Sequence, residues 1–300
     1  MKNEVINSVL SANDKSKDQP KLVIQQSMWA MKLYGDYDQE WSLEKKFEQM
    51  AHAGFEGVFA GLPAKNEEKL WRRLMEEYSF HFGLESFPET AEDLRELLKK
   101  AADHDVLYVN AQVPDGFTIG EPAISRLQEL MAEADSFGIP LFIETHRGRI
   151  TQDLIRTAGY VSALPDLRLT IDLSHYVLAG EMTDFTIADP YFDQLLKRTS
   201  CLHGRITNGQ QVQIDVGNGD HPMVEPFQQY WQRGMQYWRN QAGSGDVLPF
   251  VCEIGHHYAV TPNFQPSCSW NEISDRWKQS LVMKKIAEQA WDKTKEEQKV

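Results

Sequence analysis

The chain has 300 residues, 31 of them Lys or Arg against 44 Asp or Glu, for a formal net charge of −13. Its 41% hydrophobic and 25% charged content is that of an ordinary globular protein, long enough to bury a full core without staples. The acidic balance sets nucleic acid aside as a partner, because binding a phosphate backbone rests on clustered Lys and Arg.

Residues 1–20 are polar and rich in Lys, Asp, Asn and Ser, and read as a flexible arm ahead of a single domain over 21–300. KLVIQQSMWA (21–30) reads as a strand, and WSLEKKFEQMAHAG (41–54) as an amphipathic helix ending at Gly54. FEGVFAGLP (55–63) is a short apolar strand, followed by the helical NEEKLWRRLMEEYS. FHFGLESF (80–87) is a third strand, and ETAEDLRELLKKAADHD is a helix with acids in its first turn. VLYVNAQVP (106–114) is a fourth, with a helix over 121–137 that stops at Gly138.

The rhythm continues with the strand IPLFIETH (139–146) and a helix, TQDLIRTAGYVSAL, stopped by Pro165. LRLTIDLSHY (167–176) reads as a strand and 189–198 as a weaker helix. SCLHGRITN (200–208) precedes a helix over 222–241, and VLPFVCEIGH (247–256) precedes a closing helix, NEISDRWKQSLVMKKIAEQAW. Strict alternation with near-continuous apolar strands predicts an α/β protein with a parallel sheet, and eight units predict a single (β/α)8 TIM barrel. An open doubly wound sheet would carry a Gly-rich phosphate loop after its first strand, and QQSMWAMKLYGDY is not one. The connection TNGQQVQIDVGNGDHP (207–222) exceeds the ~2–6 residues of a routine βα loop, and is expected to be a lid or a substrate-contact segment.

Cys201, Cys252 and Cys268 are an odd count without CxxC spacing, which fits a reducing compartment rather than a disulfide framework or a thiolate zinc site. The first twenty residues lack the apolar run of a secretory signal, and no stretch approaches the ~20 apolar residues of a membrane span. A cytoplasmic protein that engages no membrane is expected.

Four residues occupy equivalent places in successive units. Glu144 closes the apolar run LFI, Asp172 closes LTI, His203 follows SCL and Glu253 follows FVC. Each lies near the C-terminal end of a predicted strand, where barrels build their sites. One Glu at a strand end is ordinarily a solvated loop residue, and a lone His a hydrogen-bonded core residue; four on consecutive strands are hard to explain separately. Converging, they make a hard oxygen and nitrogen ligand set suited to a divalent metal: Mn²⁺, Mg²⁺ or Co²⁺, with Zn²⁺ also admitted.

Residues two apart on a strand share a face, so His146 is expected beside Glu144 and Arg205 beside His203. His175, three after Asp172, can turn back over the barrel mouth. His146, His175 and Arg205 are candidate substrate-binding residues; the competing readings are orientation of a ligand for the histidines and a salt bridge to the site carboxylates for Arg205 and Arg147. His256 and His257 are expected in a loop. Trp29, at the end of the first strand, either walls a sugar site or is simply buried. Trp231 and Trp238, seven apart on one helix, are expected in the core or in an interface.

IETHRGR (143–149), TIDLSHY (170–176), LHGRITNGQQVQ (202–213) and the Glu of FVCEIG (250–255) together resemble the xylose isomerase-like barrels of the sugar isomerase/epimerase superfamily, over roughly residues 21–292. That group includes D-tagatose 3-epimerase, inosose dehydratases and AP endonucleases. The order Glu, Asp-x-x-His, His, Glu matches the ketose epimerase pattern. The match implies metal ligands at Glu144, Asp172, His203 and Glu253, a substrate contact at His175, and a proton-transferring pair in Glu144 and Glu253. The epimerases' substrate arginine lies further beyond the metal histidine than Arg205 does, so its role does not carry over. The HGR and GQQVQ pieces instead resemble uncharacterised bacterial members of the superfamily, some of which act on oxidised glycosides. A full ligand set for a trinuclear nuclease site is not placed.

The expected activity is a divalent-metal-dependent sugar isomerase or epimerase that abstracts a proton next to a carbonyl through a metal-stabilised enediolate. The alternative is a lyase or dehydratase that expels a β-leaving group from an inosose or 3-keto-glycoside. A non-catalytic sugar-binding barrel and a phosphoesterase rank behind both. The partner expected is a small-molecule sugar or cyclitol, and the resemblance suggests a homo-oligomer with the aromatic helices as contacts.

Overall fold

The computed structural model describes residues 11–36, 39–256 and 274–296; His257 and Cys268 lie outside them. Eight parallel strands close into a barrel: β1 (Lys21–Ser27), β2 (Gly57–Ala60), β3 (His81–Ser86), β4 (Val106–Ala111), β5 (Leu141–Glu144), β6 (Leu169–Ile171), β7 (Thr199–Gly204) and β8 (Val247–Cys252). Each pairs with its chain neighbours, and β8 closes on β1 with Lys21 opposite Val247 and Gln26 opposite Cys252. The connecting helices among the described residues are α1 (Leu43–His52), α2 (Glu68–Tyr78), α3 (Ala91–Ala101), α4 (Glu121–Phe137), α5 (Leu154–Ala163), α6 (Leu173–Ala179), α7 (Asp189–Leu196), α8 (Val224–Arg239) and α9 (Arg276–Glu296).

Strand alternation divides the interior into two apolar regions. Leu22, Ile24, Val58, Phe82, Leu84, Val109, Ile143 and Leu202 point outward and pack with the helices in the main core. Val23, Phe59, Tyr108, Phe142, Cys201, Val247 and Val251 point inward and fill the barrel's lumen. The odd-numbered phase of β3 and the even-numbered phase of β4 to β6 therefore face the lumen. Local sequence fixes the ends of the elements, as at α3, where Thr90 and Asp93 cap each other's backbone N–H.

Two sequence expectations change in detail, and a third resolves to one of its alternatives. The strand expected over 167–176 stops at Ile171. Asp172 becomes the cap of α6, its side chain accepting from the Ser174 backbone N–H at 2.9 Å, and the chain turns helical at once. The residues expected as a loose arm are held against the barrel over 11–20. Ala12 is buried with the lumen cluster, Asn13 bridges to Asp246, and Asp14 pairs with Lys21 at 2.8 Å. Trp231 and Trp238 are 0% and 2% exposed, so they pack into this chain's own core and offer no surface to a second copy. No helix of the described residues is long and apolar enough to cross a membrane.

The long 207–222 connection is tied to the segment after β8 and to α9. Gln213 exchanges two hydrogen bonds with the Gly255 backbone, and the Val216 N–H donates to Gln279 at 2.8 Å. Beneath the mouth the lumen is full. Gly83 lies opposite Tyr108, whose ring stacks on Phe142 at 5.2 Å and whose hydroxyl donates to Gln25 at 2.6 Å. A methyl group at Gly83 would enter the space of that pinned ring. Gly83→Ala is therefore expected to cost about 1–3 kcal/mol by overpacking. Urea unfolding checks this, and an unchanged midpoint would show that the lumen can yield.

Candidate metal centre

Four side chains from four consecutive strands meet at the C-terminal mouth. Glu144 ends β5, Asp172 follows β6, His203 lies on β7 and Glu253 follows β8. One ligand-type atom from each lies within 4.8 Å of those of the other three, and all four residues are buried. Both ring nitrogens of His203 and Oε2 of Glu253 are buried without a hydrogen-bond partner. His203 Nδ1 faces Glu253 Oε2 at 3.2 Å and Glu144 Oε1 at 3.8 Å. Buried polar atoms left this way are costly unless something else binds them. A hard donor set with orphaned, inward-aimed atoms fits a divalent cation, as the spacing of these residues predicts.

Each ligand is oriented by a neighbour. Glu144 accepts from Asn110 Nδ2 at 2.6 Å and from Gln112 Nε2 at 3.1 Å, both from the β4 side. Asp172 Oδ1 accepts from the Ser174 N–H and hydroxyl at 2.9 and 2.6 Å, and its Oδ2 accepts from Arg205 Nη2 at 2.5 Å. Glu253 Oε1 accepts from Trp29 Nε1 at 2.7 Å. The edge of Phe59 supports the His203 ring at 5.2 Å between centroids.

The electrostatics separate the two glutamates. Burial pushes Glu144 up, Glu253 and Asp172 add repulsion, and despite His203 and Asn110 its carboxyl is raised to about 7. Burial acts on Glu253 too, but the charges of His203 and Arg205 outweigh it and hold it below its ordinary value. Burial opposes ionisation of Asp172 as well, yet Arg205, His175 and His203 keep it well below the carboxylate range. His203 is disfavoured as a cation by burial, and Glu253 and Glu144 more than reverse that. The cluster attracts a positive charge, and a metal ion and a proton compete for it.

The other sequence candidates are placed around this set. His146 lies beside Glu144 as strand alternation predicts, with His175 packed on it at 3.8 Å between ring centroids; Glu144, His146 and His175 also bring ligand-type atoms within 4.8 Å. Burial depresses both histidines, His146 to about 4 and His175 well below its ordinary value. His175 sits in the first turn of α6 rather than past a strand end. Its Nε2 lies 2.9 Å from Arg205 Nη2 and its Nδ1 2.7 Å from Arg147 Nη1. Arg205 is turned onto Asp172, Ser174 and Glu253, so the geometry follows the salt-bridge reading of this residue. Trp29 is half-buried and hydrogen-bonded to Glu253, which neither of its expected roles included.

Sequence reasoning missed three contributors. Asn110 and Gln112 sit in the lumen phase of β4, where polar residues in an otherwise apolar strand were the available signal. Glu85, near the end of β3, alternates with the outward Phe82 and Leu84 and so faces the lumen. Burial, with the charges of Glu253 and Glu144, raises its carboxyl to about 8.

No family model and no curated protein matches the chain. Solved structures do. A xylose isomerase-like TIM barrel protein from Mycobacterium smegmatis in complex with magnesium aligns with TM-score 0.57 and 11% identity over 90% of this chain and 97% of its own. A probable 3-DHS dehydratase involved in petrobactin synthesis from Bacillus anthracis aligns with TM-score 0.54 and 14% identity, over 88% and 98%. An AP endonuclease of family 2 from Brucella melitensis aligns with TM-score 0.51 and 14% identity, over 77% and 92%. At such low identity these likenesses speak for architecture alone, and the architecture is a closed (β/α)8 TIM barrel.

Proposed function

We propose that the chain is a metal-dependent isomerase or epimerase that moves a proton at the carbon next to a carbonyl of a sugar or cyclitol. The observation that carries this reading is the pair of buried glutamates, Glu144 and Glu253, which face the same His203 nitrogen, Nδ1, at 3.8 and 3.2 Å with proton affinities shifted in opposite directions. Environments that push two carboxyl groups apart in this way suit one as acid and the other as base. Glu253 is ionised at neutral pH and accepts the substrate proton, with Trp29 fixing its Oε1. Glu144, whose affinity for a proton is raised by burial beside Glu253 and Asp172, returns a proton, its carboxyl held by Asn110 and Gln112. His146 is neutral and, with its Nδ1 turned to the Arg147 carbonyl, offers Nε2 to a substrate hydroxyl, while the buried His175 is held between Arg205 and Arg147.

Glu144, Asp172, His203 and Glu253 would hold a divalent ion such as Mn²⁺, Mg²⁺ or Co²⁺, which when bound polarises the carbonyl and acidifies the neighbouring C–H. The magnesium in the Mycobacterium smegmatis neighbour agrees with a hard ion. A second reading, β-elimination from an inosose or 3-keto-glycoside, is favoured by Glu85. A carboxyl raised to about 8 on the lumen face is protonated at pH 7 and can donate to a departing oxygen.

Metal-dependent deuterium uptake from D₂O at a substrate carbon next to the carbonyl, followed by NMR over ketohexoses, inosose and 3-keto-glucosides, tests the shared first step. Chelation is expected to abolish uptake and Mn²⁺ to restore it. Glu253→Gln is expected to lower uptake by roughly 10²-fold or more while the folded protein keeps its unfolding midpoint. Uptake within a few-fold of the native rate would remove the base assignment. If elimination is the reaction, its rate falls as pH rises through about 8, where Glu85 loses the proton it must donate. Glu85→Gln should be slow at every pH and lack that limb, and a native profile in this variant would exclude Glu85 as the acid.

A further inference from the structure

We propose that Arg205 sets the charge of the ligand cluster and so matches it to a divalent cation. The proposal rests on the reading of Glu144, Asp172, His203 and Glu253 as a metal site. Arg205 lies two residues after His203, in the same lumen phase, and is 2% exposed. Its Nη2 touches Asp172 Oδ2 at 2.5 Å and lies 3.4 Å from Glu253 Oε2, so one guanidinium faces two of the four ligands. Its Nε donates to Ser174 Oγ at 3.1 Å, and that hydroxyl donates to Asp172 Oδ1 at 2.6 Å. This closed ring of Asp172, Ser174 and Arg205 holds the guanidinium in place, while Asp172 Oδ2, which accepts one hydrogen bond, keeps a second lone pair for a metal.

A guanidinium stays charged at every accessible pH. Three ionised carboxylates with Arg205 carry a formal −2, which a divalent ion neutralises; without Arg205 they would carry −3. In a buried layer this difference matters, because uncompensated charge is costly and screening is weak. Arg205 also repels the incoming ion, in proportion to the charge on that ion. It therefore lowers affinity for all cations and penalises trivalent ones most. A residue that merely shaped the pocket would not distinguish ions of similar size by their charge.

The test is calorimetric titration of the metal-stripped full-length protein with Ca²⁺ and with Tb³⁺, which are similar in size and differ in charge. Arg205→Gln is expected to bind Ca²⁺ about tenfold more tightly, or about 1.4 kcal/mol. The logarithm of the gain for Tb³⁺ should be half again as large, about thirtyfold in affinity. Arg205→Lys, which keeps the charge, should stay close to the native protein for both ions. Gains that are absent, or equal for the two ions, would overturn the proposal. Should Gln prevent folding, Arg205→Met, which removes the same charge and keeps an apolar stem, should show the same pair of gains, and equal gains for the two ions overturn the assignment. If neither these ions nor Mn²⁺ binds any of the folded proteins, the metal reading falls too, whereas binding without charge-dependent gains defeats this inference alone.

Discussion

The arrangement depends on mutual repulsion among three carboxylates that strand alternation forces into one dry layer. Glu144, Asp172 and Glu253 end three different strands in the same phase, and each is buried. A parallel barrel leaves no other direction for those side chains, because the opposite face is committed to packing on the helices. Isolated, each would be expected to neutralise itself by taking a proton. Only Glu144 is pushed strongly in that direction, to about 7, because Arg205 acts on Asp172 and Glu253, whereas Glu144 has the charge of His203 alone against its burial and the repulsion of its neighbours.

The surrounding residues answer that constraint unequally. Asp172 receives three hydrogen bonds, one of them from a guanidinium, and is the most firmly ionised of the three. Glu144 receives only neutral amide donors from Asn110 and Gln112, which hold its position without supplying a charge. Glu253 stands between, with an indole N–H on one oxygen and an orphaned second oxygen beside His203. Position and protonation are thus set by different neighbours. The β4 side holds a carboxyl of raised proton affinity in place, whereas the β6 and β7 side fixes negative charge.

The barrel was legible because its units are locally consistent: apolar triplets end in a polar side chain at the same relative place, and helices follow. The four cluster residues were legible for the same reason. The failures lie where tertiary contact overrides local pattern. LTIDLSHY is apolar enough to continue a strand, but the side chain of Asp172 captures the Ser174 N–H and starts a helix, a D-x-S signal that the apolar run masked. Glu85 obeys the same strand-end rule as Glu144 yet lies two strands earlier, outside the consecutive set that made the pattern visible. Trp29 and Glu253 are 224 positions apart, and no spacing announces a contact made by closing β8 on β1. Residues 11–20 look like a loose arm in composition, but Ala12 supplies the small apolar side chain that the lumen's floor accepts.

The two ends of the lumen divide the work physically. Its floor is filled by Val23, Phe59, Tyr108, Phe142 and Val251, with the Tyr108 hydroxyl satisfied by Gln25 and the space of Gly83 given up to the ring. Close packing there leaves little room for water below the carboxylates, so their charges are screened poorly and act on one another at full strength. A looser floor would hydrate Glu144 and let its proton affinity fall toward that of an ordinary glutamate, erasing its contrast with Glu253. The proton affinity of Glu144 is therefore sensitive to apolar residues that make no hydrogen bond to it, through the dielectric they impose.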